Sequence, residues 1–406
     1  MGDTLLPFYD IIVIGAGPAG STAAKLAADR GWHTLLVDKA RFPRHKTCAS
    51  WVNRLAFERF PYLKASQERL VDCPFFGIRF WDAALKRKAE YAEARPSGYL
   101  TLRQKFDFGL KEIAVAAGAE FREGSGIAEL KQNDNGVSIR LEGGEEFRGR
   151  VLIGADGANS KVAALAGMRQ GWGEKEAVLC ANEDVPYAPE KIREFYGSPD
   201  SGSRWPRLYR GWPILVGLQF DGLTGYGWVF PKPAHICVGI GGRVPRGERI
   251  QDWYRRFLEA SKRAGLIPPD LASEEVHYAV DPAGAVNKGG LLVRGRVMLV
   301  GDAGGFVSGT TGEGIYPAME SARVAIEAVA GAHQARDFSG ELAGYQTAWR
   351  PRLGSYLRGL PGDQKREATL HRMEWIFRSP LAAGAAGRIF LYGESVARGL
   401  WRSLIA

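Results

Sequence analysis

Gly15, Gly17 and Gly20 stand in G-x-G-x-x-G spacing directly after the apolar run at residues 11–14. Each glycine of such a trio has a physical task. The first permits a tight turn, the second lets a diphosphate reach backbone N–H groups, and the third lets the next helix lie close on its sheet. That helix turns its free N–H groups and positive dipole end toward the anion. Asp38 closes a second apolar run, HTLLVD, eighteen residues past Gly20. A carboxylate about 20 residues on is the one that holds a ribose hydroxyl. Strand, glycines, helix, strand and acid occur in order, a more specific signal than the glycines alone. The motif does not choose between NAD and FAD.

Two further stretches carry chemistry. RFPRHKTCASWVN, residues 41–53, follows the second strand and reads as a loop passing over the ligand of the first turn. Its cations Arg41, Arg44 and Lys46 face either phosphates or solvent. Cys48 ends the basic stretch, and nearby positive charge lowers a thiol pKa and raises its reactivity. The other reading of Cys48, a small buried residue, is the one spacing alone favours. Residues 301–329 place an acid, Asp302, at the end of the strand GRVMLV, then a glycine-rich loop, then an amphipathic helix from about Pro317. Asp302 and the amides of residues 312–315 then lie at the carboxyl edge of a parallel sheet, where ligands bind in doubly wound folds.

The elements that must position these residues follow from periodicity. The first helix runs over residues 21–30 and stops at Gly31. Residues 74–95 alternate apolar and polar as two antiparallel strands, and 99–118 carry helical spacing with Arg103 at its start. Short strands at 120–130, 137–141 and 146–148 precede VLIGADGANSKV, a buried strand and glycine turn before a helix. Residues 168–275 are dense in Trp, Tyr, Pro and Gly and predict an antiparallel sheet containing ILVGLQF, YGWVFPK and HICVGIGG. Its rings are core or wall an apolar pocket; His235 is structural. The stretch 387–406 reads as a helix, lying in a membrane surface or, as favoured here, packed on the protein.

Composition narrows the classes. The 406 residues are 45% hydrophobic, enough for a large core. Four scattered cysteines form no C-x-x-C pair, so a reduced, cytoplasmic setting is expected. The first ten residues lack signal-peptide regions, and no apolar run reaches the ~18 residues of a membrane-spanning helix. Peripheral contact with the inner face of a membrane stays open. The net charge of +9 suits a basic solvated surface first, an anionic lipid second. Without zinc spacing, a ribonucleoprotein signature or a recognition helix, nucleic acid is not the expected partner, and no metal site is expected.

Taken together, IGAGPAG with Asp38, FPRHKTC, GADGANS at 154–160, YGWVFPK at 226–232 and GDAGGFVSGTTGEGI at 301–315 resemble the FAD-dependent oxidoreductases of the p-hydroxybenzoate hydroxylase fold. Within them the chain is most similar to the geranylgeranyl reductase family, over residues 8–330. The resemblance implies a mixed α/β chain. A Rossmann-like FAD-binding domain would take residues 1–74, 99–167 and 276–330. An antiparallel-sheet substrate domain would take 75–98 and 168–275, and a helical C-terminal region 331–406. It implies one FAD, with Gly15, Gly17, Ala19 and Gly20 on the diphosphate and Asp38, beside Lys39, on the adenosine ribose. Arg44 and Arg103 match positions on the diphosphate and ribityl side, Ile127 the strand bordering adenine, and Asp302 the ribityl chain. Gly312, Gly314 and Ile315 would present amides to the isoalloxazine ring, and a helix N-terminus there favours the reduced, anionic ring. Cys48 and Ala49 would lie beside the flavin.

The implied activity is addition of hydrogen across isolated double bonds of isoprenoid chains, with a hydride from the flavin and a proton from a nearby acid. Such an alkene is poorly polarised, so positioning in a dry apolar slot matters. Tyr226, Trp228 and Phe230 share one strand face and would wall the slot, unless they are ordinary core. NADPH, NADH and ferredoxin remain open as donors; oligomeric state is not set by these motifs. In one departure, Ala49, Ser50 and Trp51 stand where the family carries a glycine-rich stretch, and Trp51 would reshape a long-chain tunnel. Two alternatives share these motifs. One is a flavin monooxygenase or halogenase, although halogenases carry W-x-W-x-I-P where this chain has YGWVFP. The other is a non-catalytic flavin or lipid carrier.

Overall fold

A computed structural model describes residues 7–197, 211–358, 373–394 and 398–399. Two compact units are built from interleaved segments. The first comprises Met1–His45, Gln104–Ala177 and Pro282–Gly359; the second comprises Lys46–Arg103, Val178–Asp281 and Leu360–Ala406. This differs from the division read off the sequence by a few residues at several boundaries and more widely at two places. Residues 46–74 join the antiparallel unit because Trp51–Asn53 and Cys73–Phe75 both pair with Gly98–Leu100 in a small three-stranded sheet. The C-terminal region is shared between the units, and Gly340–Ala348 packs on Ile315–Ala335 in the first.

In the first unit, parallel strands run in the order Val297–Leu299, Glu146–Gly154, Phe8–Ile14, Thr34–Asp38 and Glu120–Glu123. The hairpin Ile127–Asn133 and Gly136–Leu141 pairs antiparallel with the start of Glu146–Gly154. Ile11, Ile12, Val13, Leu35, Leu36, Val151, Leu152 and Ile153 are all fully buried, which is why the central strands read as unbroken apolar runs. The first helix is Pro18–Ala28, three residues earlier than periodicity suggests, because proline suits the first turn, where its missing N–H costs nothing. The helix Ile315–Ala335 likewise starts ahead of Pro317, and these two helices pack against each other.

The second unit is organised by a seven-stranded sheet. Its order is His277–Asp281, Val178–Pro186, His235–Arg243, Thr224–Lys232, Ile214–Leu218, Gly77–Trp81 and Lys88–Ala92, antiparallel except for Ile214–Leu218 on Gly77–Trp81. Alternation gives the sheet two apolar faces. Leu215, Val229, Ile236, Val238 and Ile240 meet Trp253, Tyr254 and Phe257 of the helix Ile250–Arg263. Ile78, Phe80, Val216, Trp228, Phe230 and Cys237 meet Phe390 and Leu391 of the helix Pro380–Tyr392. That helix also lies on Lys88–Ala92, so the C-terminal segment packs on the protein over its described part. Residues 395–397 and 400–406 of the expected terminal helix lie outside the described residues. Among the described residues, no helix is long and apolar enough to cross a membrane.

Glycines set how closely rings approach this sheet. A Cβ at Gly227 would lie 2.4 Å from the Phe257 ring, and one at Gly239 would lie 2.3 Å from the Trp228 indole. Both rings therefore sit over bare backbone. Gly239→Ala should lower stability by about 1–3 kcal/mol, the usual cost of overpacking a core. Gly171→Ala, with nothing within 4 Å, should change it by less than about 0.5 kcal/mol. Urea midpoints at unchanged slope measure both.

Candidate functional site

The glycine turn joins three strand ends. The Gly15 N–H donates to Val37 O at 2.7 Å and the Ala155 N–H to Ile14 O at 2.7 Å. Gly15 has φ +102°, and a Cβ there would fall 2.3 Å from Ala155 O; one at Gly20 would fall 1.7 Å from Gly15 O. These two glycines are demanded by backbone packing within the protein. Gly17 is different. Its φ of −75° and ψ of −172° suit any residue, and a Cβ there meets only the Arg44 Nη2, at 3.6 Å. The protein leaves the turn open at Gly17, which is where a diphosphate needs bare backbone. Ala19 is buried and faces the Gly301 turn, where an added Cβ would be 3.0 Å from its own.

Asp38 is buried and ties this turn together. Its Oδ2 accepts the Ala16 N–H at 2.7 Å and its Oδ1 the Ala40 N–H at 2.8 Å, leaving further lone pairs for a ribose. Lys39 beside it is exposed. Among the loop cations, Arg44 is held in place by acids of the first unit. Its Nη1 is 3.1 Å from Oδ2 of the fully buried Asp107, its Nε is 4.0 Å from Asp38 Oδ2, and its guanidinium lies 4.9 Å from the Phe42 ring centre. Arg41 is exposed. Asp107 was not singled out in the sequence; its signal is an acid one helical turn after Arg103. Ile127 is buried as the first residue of its strand, beside Leu141.

Residues 301–316 complete the first unit's site. Asp302 is half-buried on the turn Gly301–Gly304, with its Oδ1 3.4 Å from where a Gly314 Cβ would stand. Gly312 has φ +65° and donates its N–H to Ser308 O at 2.9 Å. Glu313, between the expected glycines, is only 5% exposed. Its Oε1 accepts the Tyr316 N–H at 2.9 Å and its Oε2 the Tyr356 O–H at 2.7 Å. The carboxylate thus caps the helix whose amides were assigned to a ligand, alongside Ile315, which is buried. Burial pushes the Glu313 carboxyl up to about 7, against the lowering effect of those hydrogen bonds. In GADGANS, Asp156 is likewise raised by burial, and it caps the next helix by accepting Ser160 O–H at 2.6 Å and Val162 N–H at 3.0 Å.

The second unit carries the other expected residues. Arg103, which opens the helix Arg103–Ala116, is buried. Cys48 is half-buried; its carbonyl accepts from Asn182 Nδ2 and from Ser50 Oγ, each at 3.2 Å, and its Sγ from the Ser50 N–H at 3.3 Å. Ser50 has φ +59°, a left-handed conformation costing a non-glycine residue about 1–2 kcal/mol, so the backbone keeps a glycine-like shape without a glycine. Ala49 packs against the apolar cluster that holds Tyr226, Trp228 and Phe230. Those three share one face, and Phe390 covers it. The Phe390 ring is 5.5 Å from Tyr226, 5.9 Å from Trp51 in near-parallel stacking, and 5.7 Å from Phe80. Lys232 is buried in an ion pair with Asp184. Burial lowers its pKa, but the Asp184 charge outweighs this and leaves it raised. Burial raises the Cys180 and Cys237 thiols and lowers His235. Asn182, Lys232 and Phe390 are the residues here that sequence reading passed over. A cavity of about 860 Å³ lies elsewhere, along the Ile250–Arg263 helix between Phe220, Arg256 and Arg263.

Residues 9–206 match the FAD binding domain family. The digeranylgeranylglycerophospholipid reductase of Methanosarcina acetivorans is 32% identical over 363 residues, which cover 85% of this chain and 81% of that protein. The enzyme of the same name from Methanocella arvoryzae is 30% identical over 364 residues, covering 86% and 84%. This chain belongs to the digeranylgeranylglycerophospholipid reductase family. It is an FAD-dependent oxidoreductase. Among solved structures, a geranylgeranyl bacteriochlorophyll reductase-like protein from Thermoplasma acidophilum superposes with a TM-score of 0.75 at 21% identity, covering 98% of this chain and 96% of that one. The halogenase PltM reaches 0.71 at 20%, covering 98% and 83%. Both share the mixed α/β fold, with its Rossmann-like domain and antiparallel sheet. For this reductase family member, Gly17→Val should give a protein that melts like the wild type without flavin, since the side chain fits, but purifies colourless. A fully yellow Gly17→Val protein would contradict the diphosphate site.

Proposed function

We propose that this chain reduces carbon–carbon double bonds of an isoprenoid or lipid-like substrate, the substrate class in its relatives' names. The observation that carries the reading is their 30–32% identity across more than four-fifths of both chains. FAD, when bound, supplies the hydride. In the first unit, Gly15, Gly17 and Gly20 with Arg44 would hold its diphosphate, Asp38 the ribose, Ile127 the adenine side and Asp302 the ribityl side. Of the turn amides expected at the ring, those of Gly314 and Ile315 would face it, while that of Gly312 is engaged by Ser308 O. The open backbone at Gly17 and the paired but accessible Arg44 support this fit.

In the second unit, half-buried Tyr226 supplies apolar surface for the isoprenoid chain, while Trp228 and Phe230 lie beneath Phe390 as buried core. Excluding water matters because an isolated alkene offers little charge to grip, so its orientation must come from shape. Cys48, with its backbone fixed by Asn182 and Ser50, borders that surface and orients the reacting segment. The electron donor is NAD(P)H or ferredoxin, and the basic surface suits contact with a membrane that holds the substrate.

The halogenase-like fold makes oxygen use the second reading. Turnover without oxygen separates them: loss of a double bond, seen by mass spectrometry of an isoprenoid lipid under anaerobic conditions, is expected. Strict dependence on oxygen would overturn the reading. Cys48→Ala should keep flavin and slow substrate reduction at least tenfold, about 1.4 kcal/mol in barrier; unchanged turnover would leave Cys48 a packing residue.

A further inference from the structure

The sequence TGEGI places a carboxylate inside the glycine turn assigned to the flavin ring, and the structure buries it. We propose that Glu313, fixed by Tyr356, is a positioning residue that sets the reduction potential of bound FAD through its own charge. The proposal rests on the FAD reading above.

The geometry is specific. Glu313 accepts the Tyr316 N–H in the first turn of the Ile315–Ala335 helix and the Tyr356 hydroxyl from the segment after Trp349. Its own N–H donates to Thr311 Oγ1 at 3.2 Å and the Ser308 N–H donates to its carbonyl at 2.9 Å. Both ends of the residue are therefore tied, and the turn 312–315 cannot shift without breaking them. The ionisable groups facing it are Tyr356, Tyr316, whose ring is 5.3 Å from that of Tyr356, and Asp302, whose charge opposes ionisation. Arg352, from the same segment as Tyr356, is engaged by Glu327 at 2.8 Å and Glu320 at 3.8 Å.

An ionised Glu313 cancels part of the positive end of the helix. The turn amides then stabilise negative charge beside them less well, so FAD is harder to reduce. A neutral Glu313 leaves that field intact. When a two-electron donor such as dithionite reduces the protein, the added negative charge draws one proton from solvent onto the Glu313 carboxylate. This uptake is extra to any proton the flavin takes. It occurs only above the pH at which Glu313 ionises in the oxidised protein, which burial pushes up to about 7 in the chain without cofactor. Below that pH the carboxyl is already neutral and nothing more is taken up.

Redox titration of the FAD-loaded protein with indicator dyes, from about pH 6 to about pH 9, reads this directly. The wild type should show a break near pH 7, with the potential falling more steeply above it. Glu313→Gln should remove the break and hold a higher potential above it. Tyr356→Phe removes a hydrogen bond that favours the carboxylate, so its break should move to higher pH. A wild type that binds FAD but titrates without a break overturns the role of Glu313 alone. So does a break retained in Glu313→Gln, or one moved to lower pH in Tyr356→Phe. A wild type that takes up no FAD overturns both this role and the functional reading.

Discussion

Backbone on backbone, at a distance no side chain can share, is the constraint on which the first unit depends. Gly15 carries the end of the Phe8–Ile14 strand past Ala155, and Gly20 rests on the carbonyl of Gly15. Hydrogen bonds from Gly15 to Val37 and from Ala155 to Ile14 lock the adjoining strand ends into that arrangement. Asp38 then reaches back to Ala16. The result is a rigid turn whose one unfilled position is Gly17. Rigidity matters for an anion site because amides already aimed at the ligand need no reorganisation when it binds.

The second unit solves a different problem with the same residue type. Its sheet must bury both faces, and large rings must fit against pleated backbone. Gly227 and Gly239 remove side chains where Phe257 and Trp228 come down. Each buried ring contributes roughly 1.5–3 kcal/mol relative to exposure, more than the approximate 0.5–1 kcal/mol that glycine costs a regular element. The balance favours glycine under an aromatic ring. It also explains why the stretch from 212 to 242 is rich in both.

What sequence reading reached was what short-range rules govern. The strand–turn–helix at residues 8–28, the pair of strands within 74–95 and the alternation of Tyr226, Trp228 and Phe230 are local patterns with fixed periods. Asp38 and Asp302 were placed at strand ends by motif spacing, and Arg44 was singled out by the resemblance. Long-range partners were not. Nothing in the order of residues says that Arg44 meets Asp107, that Glu313 meets Tyr356 forty-three positions on, or that Phe390 covers Tyr226. Residues 46–74 were placed with the nucleotide unit by adjacency, yet strand pairing with Gly98–Leu100 draws them to the other unit. Pairing across a chain is set by total burial, which a local window does not contain.

The departure after Cys48 shows how two such long-range effects combine. Ser50 takes the left-handed backbone that a glycine would adopt freely, and its N–H and hydroxyl bond back to Cys48, offsetting part of the strain. That conformation turns the chain into the strand Trp51–Asn53, where Trp51 stacks on Phe390 and the Asn53 side chain bonds the carbonyl of Leu391. The C-terminal helix is thereby fixed to the Cys48 loop as well as to the sheet. Phe390 touches Trp51, Phe80 and Tyr226 at once, so an apolar chain reaching this face has to share or displace that ring. On the proposed reading, the pair Trp51 and Phe390, distant in sequence and stacked in the fold, would bound the space for an isoprenoid chain together with the strand aromatics.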